Sequence, residues 1–187
     1  MAKIVLIGAG SRIFPSRLIT DVLACPELGN STITLMDIAK VPLELAAAFA
    51  KKLVAQNSLS TSIKTTTDRR EALNGANYVF AAIMIGGGRL GVIDREITLK
   101  HGLDQGDIST QGPCAIFASL RHIPLMLDIC HDMEELCPDG WFLDYTDPMP
   151  PICWAINDYT RIKHVGLCHS IQSTSAELAK YIGVPYD

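Results

Sequence analysis

The chain has 187 residues, 48% hydrophobic and 19% charged, which is enough apolar content for a packed core and excludes a disordered chain. Sixteen Lys+Arg against 20 Asp+Glu leave a net charge of −4, so the basic face that a phosphate backbone requires is missing and nucleic acid is not an expected partner. No apolar run reaches the roughly 18 residues of a membrane span, so no membrane partner is expected either. Met1-Ala2-Lys3 runs directly into a strand-like segment, with no signal peptide expected. Six cysteines are scattered without a CxxC pair, the pattern of small core thiols in a reducing, cytoplasmic compartment.

The first element is Lys3 to Ile7, a short continuous apolar run that reads as a strand buried on both faces. Gly8-Ala9-Gly10-Ser11 follows, then a helix from Arg12 to Ala24 with Pro15 in its first turn. Ser31 to Met36 is a second strand, ended by Asp37. Leu43 to Val54 reads as a helix, and Ser62 to Thr67 as a weaker, β-branched strand. Asp68 followed by Glu71 has the form of a helix cap. Tyr78 to Ile85 is a buried strand stopped by Gly86-Gly87-Gly88. Arg89 to Gln111 has no clear period and reads as a long loop, a kind often functional.

A long helix is predicted from Pro113 to Leu136, kinked at Pro124. Ile116, Leu120, Ile123, Leu127 and Cys130 fall on one of its faces. Pro138-Asp139-Gly140 is a turn, and Trp141 to Leu143 a short strand ending at Asp144. A short helix follows Pro151, and His164 to Leu167 is the last strand, ending at Cys168-His169. Thr174 with Glu177 caps the final helix, which Gly183 and Pro185 end. Strands and helices alternate throughout, with no repeat or linker. The expected fold is α/β: one doubly wound, Rossmann-like parallel sheet over residues 1–187 with helices on both faces.

Gly8-x-Gly10 sits between a strand and a helix. Gly8 permits a tight turn, Gly10 lets backbone approach a pyrophosphate, and Ser11 leads into a helix N-terminus that favours the anion. Ile13 stands where a third small residue is usual, so the fingerprint is incomplete. Asp37 lies 24 residues beyond Ile13 at the second strand end, placed to accept hydrogen bonds from ribose hydroxyls and to repel a 2′-phosphate. The expected cofactor is therefore NAD.

Ligands of such sheets bind beyond the strands' carboxyl ends, and three further ends carry suitable residues. Gly86 and its neighbours either let backbone approach the cofactor or form a flexible loop. Asp144 and Asp147, in Asp144-Tyr145-Thr146-Asp147-Pro148, either hold a metal or sugar hydroxyl or build an Asx-Pro turn. Cys168 with His169 offers a soft metal ligand beside a second ligand or proton donor, or is an ordinary strand end. His122, His131, His164 and Cys137 read as residues without chemistry.

Several of these segments together resemble the family 4 glycoside hydrolases. They are Ile7-Gly8-Ala9-Gly10-Ser11, Leu35-Met36-Asp37-Ile38, Ile85-Gly86-Gly87, Gly112-Pro113, Leu120-Arg121-His122-Ile123-Pro124, Asp132 through Asp139 and Val165 through Ser170. The Gly-Leu-Cys-His-Ser form is most similar to the melibiase-type α-galactosidases. The resemblance implies NAD⁺ and a divalent metal, usually manganese, with a sugar as substrate and a homo-oligomer for full-length members. It implies oxidation of the sugar at C3, loss of the C2 proton, elimination of the aglycone, addition of water and return of the hydride, outside the usual two-carboxylate scheme. Carried over by position, Cys168 is the metal ligand, His169 the general acid and Asp147 a sugar-binding residue, with Asp144 opening the same segment.

The chain departs from the family pattern where Cys114 and Ala115 replace two glycines, Ala118 an arginine, and Asp144 and Asp147 two asparagines. The cysteine and alanine add side chains in what is expected to be a tight loop near the cofactor. Members also extend well past this stretch, where a second metal ligand and a tyrosine base lie. The chain is accordingly expected to be a fragment or a decayed reading frame, without appreciable glycosidase activity alone and with an empty metal position at Cys168. The alternatives are a non-catalytic NAD-binding fragment and a hydroxy-acid dehydrogenase, whose His–Asp pair is not recognisable here.

Overall fold

The computed structural model describes residues 1–11, 14–104, 110–168 and 170–186. Among them, six strands form one parallel sheet, in the order β3-β2-β1-β4-β5-β6. These are β1 (Lys3–Ile7), β2 (Thr32–Met36), β3 (Ser62–Thr66), β4 (Tyr78–Ala81), β5 (Trp141–Asp144) and β6 (Lys163–Gly166). The helices are α1 (Phe14–Ala24), α2 (Lys40–Gln56), α3 (Arg69–Leu73), α4 (Gly87–Lys100), α5 (Gly112–Leu136), α6 (Met149–Tyr159) and α7 (Ser170–Ile182). The chain runs outward from β1 to β3, returns to β4 and runs outward again, so a crevice opens at the carboxyl ends of β1 and β4.

The alternation of side chains along β1 builds two cores. Ile4 and Leu6 point to one face and meet Ile19 and Leu23 of α1 and Leu43, Ala47 and Ala50 of α2. Val5 and Ile7 point to the other, against Leu73 of α3, Met126, Ile129 and Met133 of α5 and Ile152 and Ile156 of α6. Each such buried Val, Leu, Ile or Met side chain contributes about 1.5–3 kcal/mol. Residues 4–7 are uniformly apolar because both faces are covered.

Four elements differ from the sequence reading. β4 ends at Ala81 rather than Ile85, because the chain turns away to form a loop. The segment read as a loop from Arg89 contains helix α4, whose buried residues are Asp94 and Thr98 while Val92, Ile93 and Ile97 are exposed. An apolar count cannot find a helix seated by an ion pair: Arg121 Nη2 and Nη1 reach Asp94 Oδ2 and Oδ1 at 2.5 and 3.1 Å.

In α5 the buried face runs through Ala115, Ser119, His122, Met126, Ile129 and Met133. Of the predicted face, Cys130 is fully buried and Ile123 packs against the core, but toward the helix start the buried face is shifted by one residue and Ile116 and Leu120 are exposed. Ser119 and His122 are tolerated inside because each bonds within its own helix, Ser119 Oγ donating to Ala115 O at 2.6 Å. By length and composition α5 is apolar enough to cross a membrane, but it packs against the sheet through Met126, Ile129 and Met133. Finally, α7 starts at Ser170, so Thr174 lies inside it and caps nothing.

The turn at Pro138-Asp139 closes as expected, with Gly140 N–H donating to Cys137 O at 2.9 Å. The Asp68 cap also forms: its Oδ1 accepts from Arg70 and Glu71 N–H at 2.8 and 3.1 Å.

Candidate functional site

The turn after β1 is built by close approach. Gly8 has φ +84°, and a Cβ there would lie 2.4 Å from Ala82 O. Both conditions demand glycine. Met36 O accepts from Gly8 and Ala9 N–H at 3.0 and 3.1 Å, and Gly8 O from Ser11 N–H at 3.1 Å. Gly10 N–H donates to Asp37 Oδ2 at 2.8 Å, and Asp37 Oδ1 accepts from Ala39 N–H at 2.9 Å, just ahead of α2. A Cβ on Gly10 would stand 2.8 Å from that same Oδ2 and 2.9 Å from Pro42 Cβ. Gly10 is therefore small to admit the Asp37 carboxylate, whereas the sequence pattern assigned its smallness to a pyrophosphate. Arg12 and Ile13 lie outside the described residues.

Gly8, Gly10, Ser11 and Asp37 line one cleft of about 560 Å³. Its other walls are Ile38 and Ala39 after β2, Thr67 and Arg69 after β3, Ala82 to Met84 after β4, and Leu125 and Ile129 of α5. The volume and the mixture of apolar walls with a few convergent polar groups are those of a small-molecule site. Gly86 is not in the lining: it stands at the start of α4.

The wall after β4 is pinned twice. Thr146 Oγ1 accepts from Ile83 N–H at 3.2 Å, and His122 Nε2 accepts from Ile85 N–H at 3.0 Å. His122 Nδ1 lies 2.8 Å from Ala118 O, a carbonyl, so Nδ1 carries the proton and Nε2 is the acceptor. His122 was set aside on sequence, yet it positions a wall of the cleft. Arg69 was also missed. It follows the cap residue at a strand end, which was the available signal, but its partner is distant: Asp132 Oδ2 lies 2.6 Å from Nε and 2.5 Å from Nη2.

The ends of β5 and β6 form a separate group. Asp144 is fully buried. Its Oδ1 accepts from Thr146 N–H at 2.8 Å, and its Oδ2 has no partner among the described residues. Burial pushes its carboxyl up to about 7, against hydrogen bonding from Thr146. Burial, with Asp144 second, likewise lifts the Cys130 thiol to about 12 and the Cys153 thiol to about 11. Asp144 thus makes an Asx turn with Thr146, which stops short of the Asp147-Pro148 pair of the expected Asx-Pro turn. Asp147 is exposed and precedes a cis-Pro148. Cys168 is an exposed free thiol. His169, the candidate acid, lies outside the described residues. Cys114 and Ala115 sit in the first turn of α5, buried and outside the lining, so neither narrows the cleft as the departure from glycine suggested.

Manganese is the metal that the resemblance implies at Cys168. Among the described residues no three His, Cys, Asp or Glu side chains gather closely enough to hold a metal ion. One exposed thiol does not make a Mn²⁺ site, since Mn²⁺ stands at the bottom of the affinity order for such ligands.

The comparisons with known proteins agree with this layout. An α-galactosidase of Bacillus subtilis (strain 168) is 42% identical over 188 aligned residues, covering 100% of this chain and 44% of its own length. An α-galactosidase of Rhizobium meliloti (strain 1021) is 38% identical, over 97% of this chain and 37% of its own. The chain therefore spans less than half the length of these curated relatives. A 6-phospho-β-glucosidase of Thermotoga maritima, solved with manganese, NAD⁺ and glucose-6-phosphate, superposes with TM-score 0.85 at 23% identity, over 99% of this chain and 44% of that one. The family profile described as family 4 glycosyl hydrolase matches residues 3–184. With the fold and nearly the whole chain matched, this protein belongs to family 4 of the glycosyl hydrolases.

Proposed function

We propose that the chain is the NAD⁺-binding portion of a family 4 glycosidase acting on α-galactoside-type sugars. The observation that carries this reading is the convergence of Gly8, Gly10, Ser11 and Asp37 on one cleft at the reversal point of the sheet. The α-galactosidases at 42% and 38% identity support the sugar, and the Thermotoga structure with NAD⁺ and manganese supports the cofactors. When bound, NAD⁺ supplies the hydride acceptor for oxidation at sugar C3, which precedes elimination, water addition and return of the hydride.

The chain's own residues bind and orient. Asp37, held by the Gly10 and Ala39 amides, keeps lone pairs for the adenosine ribose hydroxyls and sets a negative charge where a 2′-phosphate would lie. The first turn of α1 faces the pyrophosphate with its dipole. Asp147 and Cys168 stand at the β5 and β6 ends, where Asp147 would meet the sugar and Cys168 the metal, and His169, the next residue in the sequence, would donate the proton. The described residues do not complete a Mn²⁺ site, and any manganese at Cys168 takes its remaining ligands from elsewhere. The cytoplasm is the proposed compartment, supported by six free cysteines.

Calorimetry tests the reading. NAD⁺ binds the chain and NADP⁺ binds much more weakly; equal affinity for the two, or none for NAD⁺, sinks it. Release of p-nitrophenol from the α-galactoside by the full-length protein, dependent on NAD⁺ and Mn²⁺, tests the sugar.

A further inference from the structure

The cleft walls say more than the glycine–acid pair does. Adenine is joined to C1′ of the ribose, next to the 2′-hydroxyl that Asp37 faces. A bound base therefore falls in the part of the cleft beside Asp37. The residues there come from three strand ends: Ile38 after β2, Thr67 and Arg69 after β3, and Met84 after β4. Ile38 and Met84 are large apolar side chains left 87% and 70% exposed at the cleft mouth, as flanking walls awaiting a flat ligand would be.

Among the described residues, Arg69 is the cationic side chain in this lining. Its side chain is only 27% exposed, and its Nε–Nη2 edge is turned onto Asp132 Oδ2 of α5. Asp132 Oδ1 is in turn bonded by Arg70. With the Nε–Nη2 edge on Asp132, what Arg69 has left to turn toward the cleft is its guanidinium face, Nη1 and its stem. Guanidinium planes stack on aromatic rings, and lysine has no plane with which to do so.

We propose that Arg69 is an adenine-binding residue, its guanidinium plane forming one side of the base slot, and that Asp132 is the positioning residue that holds that plane. The inference rests on the NAD⁺ reading above. It adds a second source of discrimination: with the Nε–Nη2 edge committed to Asp132, those donors are withheld from a 2′-phosphate.

The experiment measures dissociation constants of ADP-ribose, NAD⁺ and NADP⁺ by calorimetry for wild type, Arg69→Lys, Arg69→Ala and Asp132→Asn, with thermal melts confirming that each variant is folded. Both Arg69 variants are expected to bind ADP-ribose and NAD⁺ about tenfold more weakly, because neither Lys nor Ala has a plane to stack on the base. Full affinity in Arg69→Lys shows that charge and not the plane matters, and overturns the proposal, as does full affinity in Arg69→Ala. Asp132→Asn releases the edge, so its ratio of NADP⁺ to NAD⁺ affinity rises several-fold; a merely structural ion pair would weaken both ligands equally, and that result overturns the positioning role. Wild type that binds neither ADP-ribose nor NAD⁺ is a different failure, that of the cofactor reading itself.

Discussion

Gly10 N–H donates to Asp37 Oδ2 across 2.8 Å, so the loop after the first strand and the acid after the second are one unit. The carboxylate is already oriented before any ribose arrives. A preoriented acceptor costs less ordering entropy on binding than a free side chain does.

Asp37→Ala removes a charged acceptor, and each such hydrogen bond is worth about 1.5–3 kcal/mol. NAD⁺ affinity is therefore expected to drop by roughly ten- to a hundredfold. The variant also frees the Gly10 and Ala39 amides, so its melting temperature falls. Unchanged NAD⁺ affinity by calorimetry would show that the ribose lies elsewhere.

Gly8→Ala places a methyl 2.4 Å from Ala82 O on a backbone with φ +84°. The left-handed conformation alone costs a non-glycine residue roughly 1–2 kcal/mol, and displacing β4's exit adds to it. Urea denaturation should show an unfolding free energy lower by that amount or more. A variant as stable as wild type would mean that the turn relaxes freely.

His122→Phe keeps the bulk inside α5 but deletes the acceptor for Ile85 N–H. A fully buried amide left unsatisfied costs about 1–3 kcal/mol, and the half-buried Ile85 amide less. Hydrogen exchange at Ile85 should accelerate, while Val79 within β4 keeps its protection. Equal protection of Ile85 in both proteins would show that the imidazole does not hold the loop.

Asp144 gives a pH signature. Its folded carboxyl titrates at about 7 against an ordinary 3.8, because burial penalises the charge. The raised value means that the folded state holds a proton which the unfolded chain has already released. This contribution is thus most favourable below about pH 4, declines as pH rises, and is level above about pH 7. Asp144→Asn removes the decline, so its stability relative to wild type should rise by a few kcal/mol, as an order of magnitude, between those limits. Chemical denaturation at pH 4, 6 and 8 checks this; a constant difference across the series contradicts it.

The cysteines should separate by reactivity. Cys168 is exposed, whereas Cys130 is buried with its thiol raised to about 12. Cys168 should react promptly with a disulfide reagent and Cys130 only on unfolding. MnCl₂ should not slow Cys168, because the described residues supply no surrounding ligand set. Protection by Mn²⁺ would reveal a competent site.

Local chemistry made much of this protein legible in its sequence. A five-residue apolar run ended by glycines reads as a doubly buried strand, and glycines at 8 and 10 followed by Asp37 mark a nucleotide turn, because these signals act within one or two elements. The β1 span, the Asp68 cap and the turn at 138–140 follow from neighbours alone. What needed the tertiary structure depends on partners far along the chain. Helix α4 is seated by Asp94 on Arg121, 27 residues away, and hides behind an apolar count that points outward. The first half of the inward face of α5 runs through Ser119 and His122 rather than Ile116 and Leu120, because these polar side chains find internal acceptors. Arg69 belongs to the cleft because Asp132, 63 residues later, clamps it there. Asp144 has its raised carboxyl because sheet and helices close over it. Periodicity reports which side of an element is oily; it carries no information on which buried polar group will meet a partner, since that is settled only when elements remote in sequence pack together.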